Sequence, residues 1–177
     1  LRRRRIPFRF GGIFFPDETG LRAELDAFSQ AVAVVKGLRN ARIGHVGVRP
    51  QTFETVAYDE VAMARKFGQN VIYANLIDLL TEARGLADDD QAVLEILADM
   101  RRTVPTITVA DDYLLKSAKL EAALATFWER NGLSALTMQC WHSIQQEYGV
   151  SLCALFGRLT GRRMLTACEA DVMGALS

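Results

Sequence analysis

The chain has 177 residues, half of them apolar, with 21 Lys and Arg balancing 21 Asp and Glu. That length suits one domain with a sizeable core, and a net charge of zero supplies no field to draw in nucleic acid or an anionic membrane surface, so neither is expected as a partner. Three cysteines without a C-x-x-C pair argue against structural zinc and a disulfide framework, which favours a reducing, cytoplasmic setting, and no apolar run reaches the roughly 20 residues of a membrane helix.

Residues 1–18 read as a leading linker segment. "LRRRR" is its one charge run, more readily a solvated linker than a phosphate site, and "RFGGIFFPDETG" supplies Gly and Pro breaks. The chain opens on Leu rather than Met, as a piece of a longer protein would. Residues 19–177 read as a single α/β domain. Leu21, Leu25, Phe28, Val32 and Val35 recur at helical spacing, predicting a helix that Gly37 ends and that packs on a sheet.

"ARIGHVGV" (41–48) predicts a first strand, "YDEVAMARKFG" a helix closed by Gly68, and "NVIYANL" (70–76) a second strand. "DLLTEARG" and "DDDQAVLEILADMRR" are helical, the latter with acids first and arginines last, as the helix dipole favours. Asp111–Arg130 reads as a long helix stopped at Asn131–Gly132, with Leu120, Leu124, Phe127 and Trp128 in the core. "ALTMQCW" (135–141) predicts a third strand, two short helices follow, and "MLTACE" (164–169) predicts a fourth strand. The alternation implies a doubly wound, mostly parallel open α/β sheet, flavodoxin- or Rossmann-like, with helices on both faces.

Ligands of such sheets gather beyond the carboxyl ends of the strands. The residues standing there are Arg49, Pro50 and Gln51 after the first strand, Cys140, Trp141 and His142 after the third, and Glu169 and Asp171 after the fourth. Each has a structural alternative. Asp171 precedes "VMGAL" and is better read as a helix cap. Arg49 can pair with a surface acid, Trp141 can be core, and His142 can flank a helix. Glu169 is harder to dismiss, because a carboxylate ending a buried strand is costly without a cation, a proton or donors to satisfy it. Gly44 and Gly47 do not complete G-x-G-x-x-G, and no Walker, G-x-S-x-G or H-E-x-x-H motif is present.

"ACEADVMGAL" (167–176) resembles the C-E-x-D-x-x-G-A-L signature of the L-fucose isomerase family, relatives of L-arabinose isomerase. "RIGHVGVRP" with a following "FG", and "MQCW", are similar to the opening and an inner strand of that family's central domain, so the resemblance covers roughly residues 40–177. It implies a metal-dependent aldose–ketose isomerase built from three domains, of which this chain is the central one, without its N- and C-terminal neighbours. It implies a monosaccharide substrate, a homo-oligomer (hexamer or trimer), and Mn²⁺, with Mg²⁺ the alternative. By the match, Glu169 is both the catalytic acid–base and one metal ligand, with the others downstream of Ser177, so that the isolated chain is inactive. Arg49, Gln51 and Trp141 are the substrate-binding candidates. Trp141 stands where the fucose enzymes carry a Gln, which points to a sugar other than L-fucose. The competing readings are a non-catalytic sugar-binding domain and an assembly domain of the same fold.

Overall fold

The computed structural model describes residues 2–177, so Leu1 of the "LRRRR" run lies outside the described residues. Two compact units divide the chain, the first ending at Leu38 and the second spanning Arg39–Ser177.

In the first unit a 3-10 turn, Arg2–Arg4, precedes one long helix, α1 (Thr19–Leu38). Arg9 anchors the leading segment to it, donating from Nη2 to both carboxylate oxygens of Glu24 at 2.9 and 3.1 Å. The apolar stripe read from the sequence lies on this helix and is not buried. No residue of α1 is buried, and Phe28 is 61% exposed. Gly37 does not end the helix either. The turn comes at Arg39–Asn40, where Asn40 takes a φ of +59°, a conformation that asparagine tolerates better than most residues.

The second unit holds all four strands found among the described residues, β1 (Arg42–Val46), β2 (Asn70–Ala74), β3 (Ala135–Met138) and β4 (Thr166–Ala167). They form one sheet in the order β2-β1-β3-β4, and every pairing is parallel. The helices are α2 (Glu60–Phe67), α3 (Leu76–Gly85), α4 (Gln91–Thr103), α5 (Asp111–Asn131), α6 (Ser143–Glu147), α7 (Cys153–Gly161) and α8 (Val172–Leu176). Their boundaries follow local chemistry. The Asp59, Asn75 and Asp90 side chains accept the first free N–H groups of α2, α3 and α4, while Gly68 and Gly132 close α2 and α5 in left-handed conformations.

Strand alternation splits the core between the two faces of the sheet. Val46, Leu136 and Met138 pack with Leu120, Leu124 and Phe127 of α5 and Leu80 of α3. Ile43, Val71 and Ala135 pack with Met63 of α2 and with Val172 and Ala175 of α8. Each of the Val, Leu, Ile, Met and Phe side chains among them contributes roughly 1.5–3 kcal/mol when fully buried. Gly44 belongs to the first face for a packing reason. A Cβ there would lie 2.6 Å from the Leu133 side chain and 3.0 Å from Phe127, so its lack of a side chain admits α5 close to β1.

β4 is shorter than its sequence promises. Only Thr166 and Ala167 pair with β3, because Glu169 and Ala170 both turn left-handed (φ +55° and +57°) and take the chain out of the sheet.

Candidate functional site

Because all the strands run parallel, their carboxyl ends share one edge, and the backbone there is unusual. Glu169 and Ala170 follow β4 with positive φ, His142 follows β3 with φ +62°, and Gly47 follows β1 with φ +83°. Non-glycine residues in such conformations cost on the order of 1–3 kcal/mol each and gather at functional sites. The strain is held in place by backbone bonds: Ala170 N–H donates to Met138 C=O at 3.2 Å, and Asp171 N–H donates to Cys168 C=O at 3.0 Å.

That turn sets Glu169 against the end of β3. The Cys140 thiol donates to Glu169 Oε1 at 3.2 Å, and the Cys140 sulfur, the Cys168 sulfur and a Glu169 carboxylate oxygen all lie within 4.8 Å of one another. Cys140 is buried, while Cys168 and Glu169 are half-buried. The neighbouring Cys168 sulfur and then burial push the Cys140 thiol well above its ordinary value, and Cys140 in turn draws Cys168 below its own. Among the described residues, no Lys or Arg pairs with Glu169. Asp171 is spent on α8, where its Oδ1 accepts from Gly174 N–H at 2.8 Å, as the capping reading expected.

Arg49, Gln51 and Trp141 all follow strand ends on this edge. Arg49 is half-buried, donates from Nη1 to Phe53 C=O at 3.0 Å and lies 3.8 Å from Glu54. Gln51 sits exposed in the turn after β1. Trp141 is 51% exposed rather than core, its ring 4.4 Å from that of His142. Arg49 lines a cavity of about 380 Å³ with His45, Val48, Tyr58, Glu60 and Tyr73.

Two features of this edge escape sequence reasoning. Gln139 ties the ends of β1 and β3 together, accepting from Val48 N–H at 3.0 Å and donating to Ser143 Oγ at 2.7 Å. Its signal was an amide directly after a strand of four buried residues. The other is His45, 5% exposed on β1, whose Nδ1 is buried without a hydrogen-bond partner. Beside it, Tyr73 donates to Glu60 at 2.9 Å, which leaves Tyr58 as the donor in the 2.7 Å bond between the two phenols. Burial, and then the bond to Tyr73, push the Tyr58 phenol up. Only the pairing of β1 with β2, which places His45 opposite Tyr73, reveals this group.

No family model matches the chain. It is similar to proteins named sulfoquinovose isomerase. One from Alkalicoccus urumqiensis is 28% identical over 170 residues, which is 96% of this chain and 37% of that protein. Those of Priestia aryabhattai and a Clostridium species are 26% and 27% identical, over 100% and 96% of this chain and 39% and 38% of their own lengths. The chain therefore spans well under half the length of these relatives.

The donor set can be tested against the Mn²⁺ or Mg²⁺ that the resemblance implies. Those ions take hard oxygen ligands. Glu169 is flanked by two sulfurs, and the nearby carboxylate of Asp171 is engaged as a cap. These residues alone do not fit such an ion. Among the described residues, no helix is long and apolar enough to cross a membrane.

Proposed function

We propose that this chain is the metal-site-bearing central part of a sugar isomerase that interconverts an aldose and its ketose, with Glu169 as the proton-transfer group. The observation that supports this reading most is Glu169 itself. It is a half-buried carboxylate at the carboxyl end of β4, held in a strained left-handed turn without a paired cation among the described residues. It sits in a chain that aligns over nearly all its length with proteins named as isomerases of a sugar.

Aldose–ketose exchange moves a proton between neighbouring carbons through an ene-diol, so a carboxylate must take the proton from one carbon and deliver it to the next. Glu169 stands where the sheet edge offers a sugar access. The Cys140 thiol, donating to Oε1, fixes the orientation of the carboxylate and leaves Oε2 for the carbon-bound proton. Arg49 and Gln51 after β1 and Trp141 after β3 are the proposed contacts to the sugar. The free N–H groups of Arg49 suit a charged substituent such as the sulfonate of a sulfosugar. Mn²⁺, or Mg²⁺, belongs to this proposal only as an ion that Glu169 joins further oxygen donors to hold, and those donors come from outside these residues. No step of the proton transfer is routed through it.

The test is the protein expressed from its full reading frame and offered sulfoquinovose and unsubstituted aldoses in deuterated water. Ketose formation with solvent deuterium entering the sugar at the carbon next to the carbonyl is expected, and Glu169→Gln should abolish both without altering the thermal midpoint by more than a few degrees. Undiminished turnover by Glu169→Gln would overturn the assignment.

A further inference from the structure

The mismatch between Glu169's neighbours and a hard ion has a positive side. Cys140 follows β3, Cys168 and Glu169 follow β4, and the pairing of these strands, with Thr137 opposite Ala167, brings the three together although they are distant in sequence. Two sulfurs and one carboxylate oxygen are already within 4.8 Å of each other, and Cys140 is 3.2 Å from Glu169. Around a tetrahedral ion with metal–sulfur bonds of about 2.3 Å and metal–oxygen bonds of about 2.0–2.2 Å, donors lie roughly 3.3–3.8 Å apart. The widest separation needs to shorten by about an ångström at most, and the Cys140–Glu169 pair to open by a few tenths of an ångström, to meet that spacing. Its frame is rigid, because the left-handed turn at Glu169–Ala170 is pinned by the bonds to Met138 and Cys168.

We propose that Cys140, Cys168 and Glu169 form a three-ligand site for a thiophilic divalent cation of the Zn²⁺ class, with the fourth position open to water. Thiolate donors select such ions over Mn²⁺ and Mg²⁺. Three protein ligands with one open position is also the arrangement of exchangeable rather than purely structural zinc. Binding forms two metal–sulfur bonds and one metal–oxygen bond, and the two thiol protons leave to solvent. The site shares Glu169 with the isomerase reading but does not depend on it, since its readout is the metal's spectrum and not turnover.

Cobalt(II) is the probe. Titrated into the 177-residue chain under a phosphine reductant, it should give one equivalent of a species with sulfur-to-cobalt charge-transfer absorption and intense visible bands, both erased by Zn²⁺. Cys168→Ser, at a half-buried position, should weaken cobalt binding by at least the about 10–100-fold that loss of even an outer-shell partner costs, and should roughly halve the charge-transfer intensity. Glu169→Gln should weaken binding while keeping the sulfur bands, and Cys153→Ser should change nothing. Absence of a sulfur-to-cobalt band, its undiminished intensity in Cys168→Ser, or preference for Mn²⁺ over Zn²⁺ in direct competition would each overturn the site.

Discussion

The Gln139 carboxamide occupies the space where Gly47 would carry a side chain. A Cβ at Gly47 would lie 2.7 Å from Gln139 Oε1, and Gly47 has a φ of +83°. The same oxygen accepts from Val48 N–H at 3.0 Å, so the glycine's bareness and the amide's reach together set where the chain leaves β1. Gly47→Ala should lower stability by about 1–3 kcal/mol, from left-handed strain and displacement of Gln139. Gln139→Ala should cost about 1 kcal/mol for its hydrogen bonds. Gln139→Ala removes the carboxamide clash but keeps a Cβ that would lie 2.8 Å from one at Gly47, so the double variant should lose somewhat less than the sum. Urea unfolding of the four proteins measures this, and strict additivity would show the contact to be incidental.

A second prediction concerns Glu121, fully buried on α5. Its carboxylate accepts from Arg158 Nε at 2.9 Å and Nη2 at 3.2 Å, and from Arg162 at 3.2 Å. Arg158 also reaches Asp99 at 2.9 Å, and so links α4, α5 and α7. Arg158→Met leaves the buried Glu121 carboxylate with only the half-exposed Arg162, so it should cost up to about 3–5 kcal/mol. Replacing both residues, as Glu121→Leu with Arg158→Met, should recover much of that loss. Chemical denaturation curves decide it. A single Arg158→Met change costing no more than a surface substitution would show that Arg162 alone satisfies Glu121.

The third prediction is a pH dependence. Burial holds the His45 imidazole below its ordinary value of 6.5, against the opposing pull of its backbone neighbours and of Glu60, in a cavity it shares with Arg49, Tyr58 and Tyr73. Between the depressed folded value and 6.5, the unfolded chain holds a proton that the folded chain does not. Stability therefore rises with pH through that window and is lost as pH falls below about 6.5, by at most ~1.4 kcal/mol per pH unit. His45→Phe should flatten this slope between pH 5 and 7. An unchanged slope in thermal melts of the variant would assign the dependence elsewhere.

The fold was largely legible because its signals are local. Gly68 and Gly132 stop helices that Asp59 and a run of acids begin, and β1 to β3 are short apolar runs between such boundaries. The site was legible only where one residue announced itself, as Glu169 did by ending an apolar run. What was missed depends on strand neighbours. The β3–β4 pairing makes Cys140 and Cys168 adjacent, and the β1–β2 pairing gives His45 its tyrosine. The stripe on α1 was legible as a helix and not in its exposure, since spacing shows that Leu25, Phe28, Val32 and Val35 share a face but not what covers that face.

The final prediction separates stability from function at the turn after β4. Glu169 and Ala170 are consecutive non-glycine residues in the left-handed region, at φ +55° and +57°. Each is less comfortable there than glycine by about 1–2 kcal/mol, while glycine returns part of that gain through its larger unfolded-state entropy, roughly 0.5–1 kcal/mol. At Ala170, 1% exposed, a glycine also forfeits a buried methyl worth about 0.8 kcal/mol. Ala170→Gly should therefore be close to neutral. Glu169 is half-buried and its main contact is the Cys140 thiol, so Glu169→Gly should raise stability by about 1 kcal/mol. Glu169→Gln keeps the left-handed strain and should leave stability near that of the parent. If the proposed function is right, Glu169→Gly and Glu169→Gln lose turnover alike, yet only the glycine variant melts higher. A residue kept at a cost to the fold is one retained for its chemistry. Differential scanning calorimetry of the three variants beside the parent provides the comparison. A Glu169→Gly protein that melts lower would show that the carboxylate supports the fold, and that its strained backbone is no mark of a functional role.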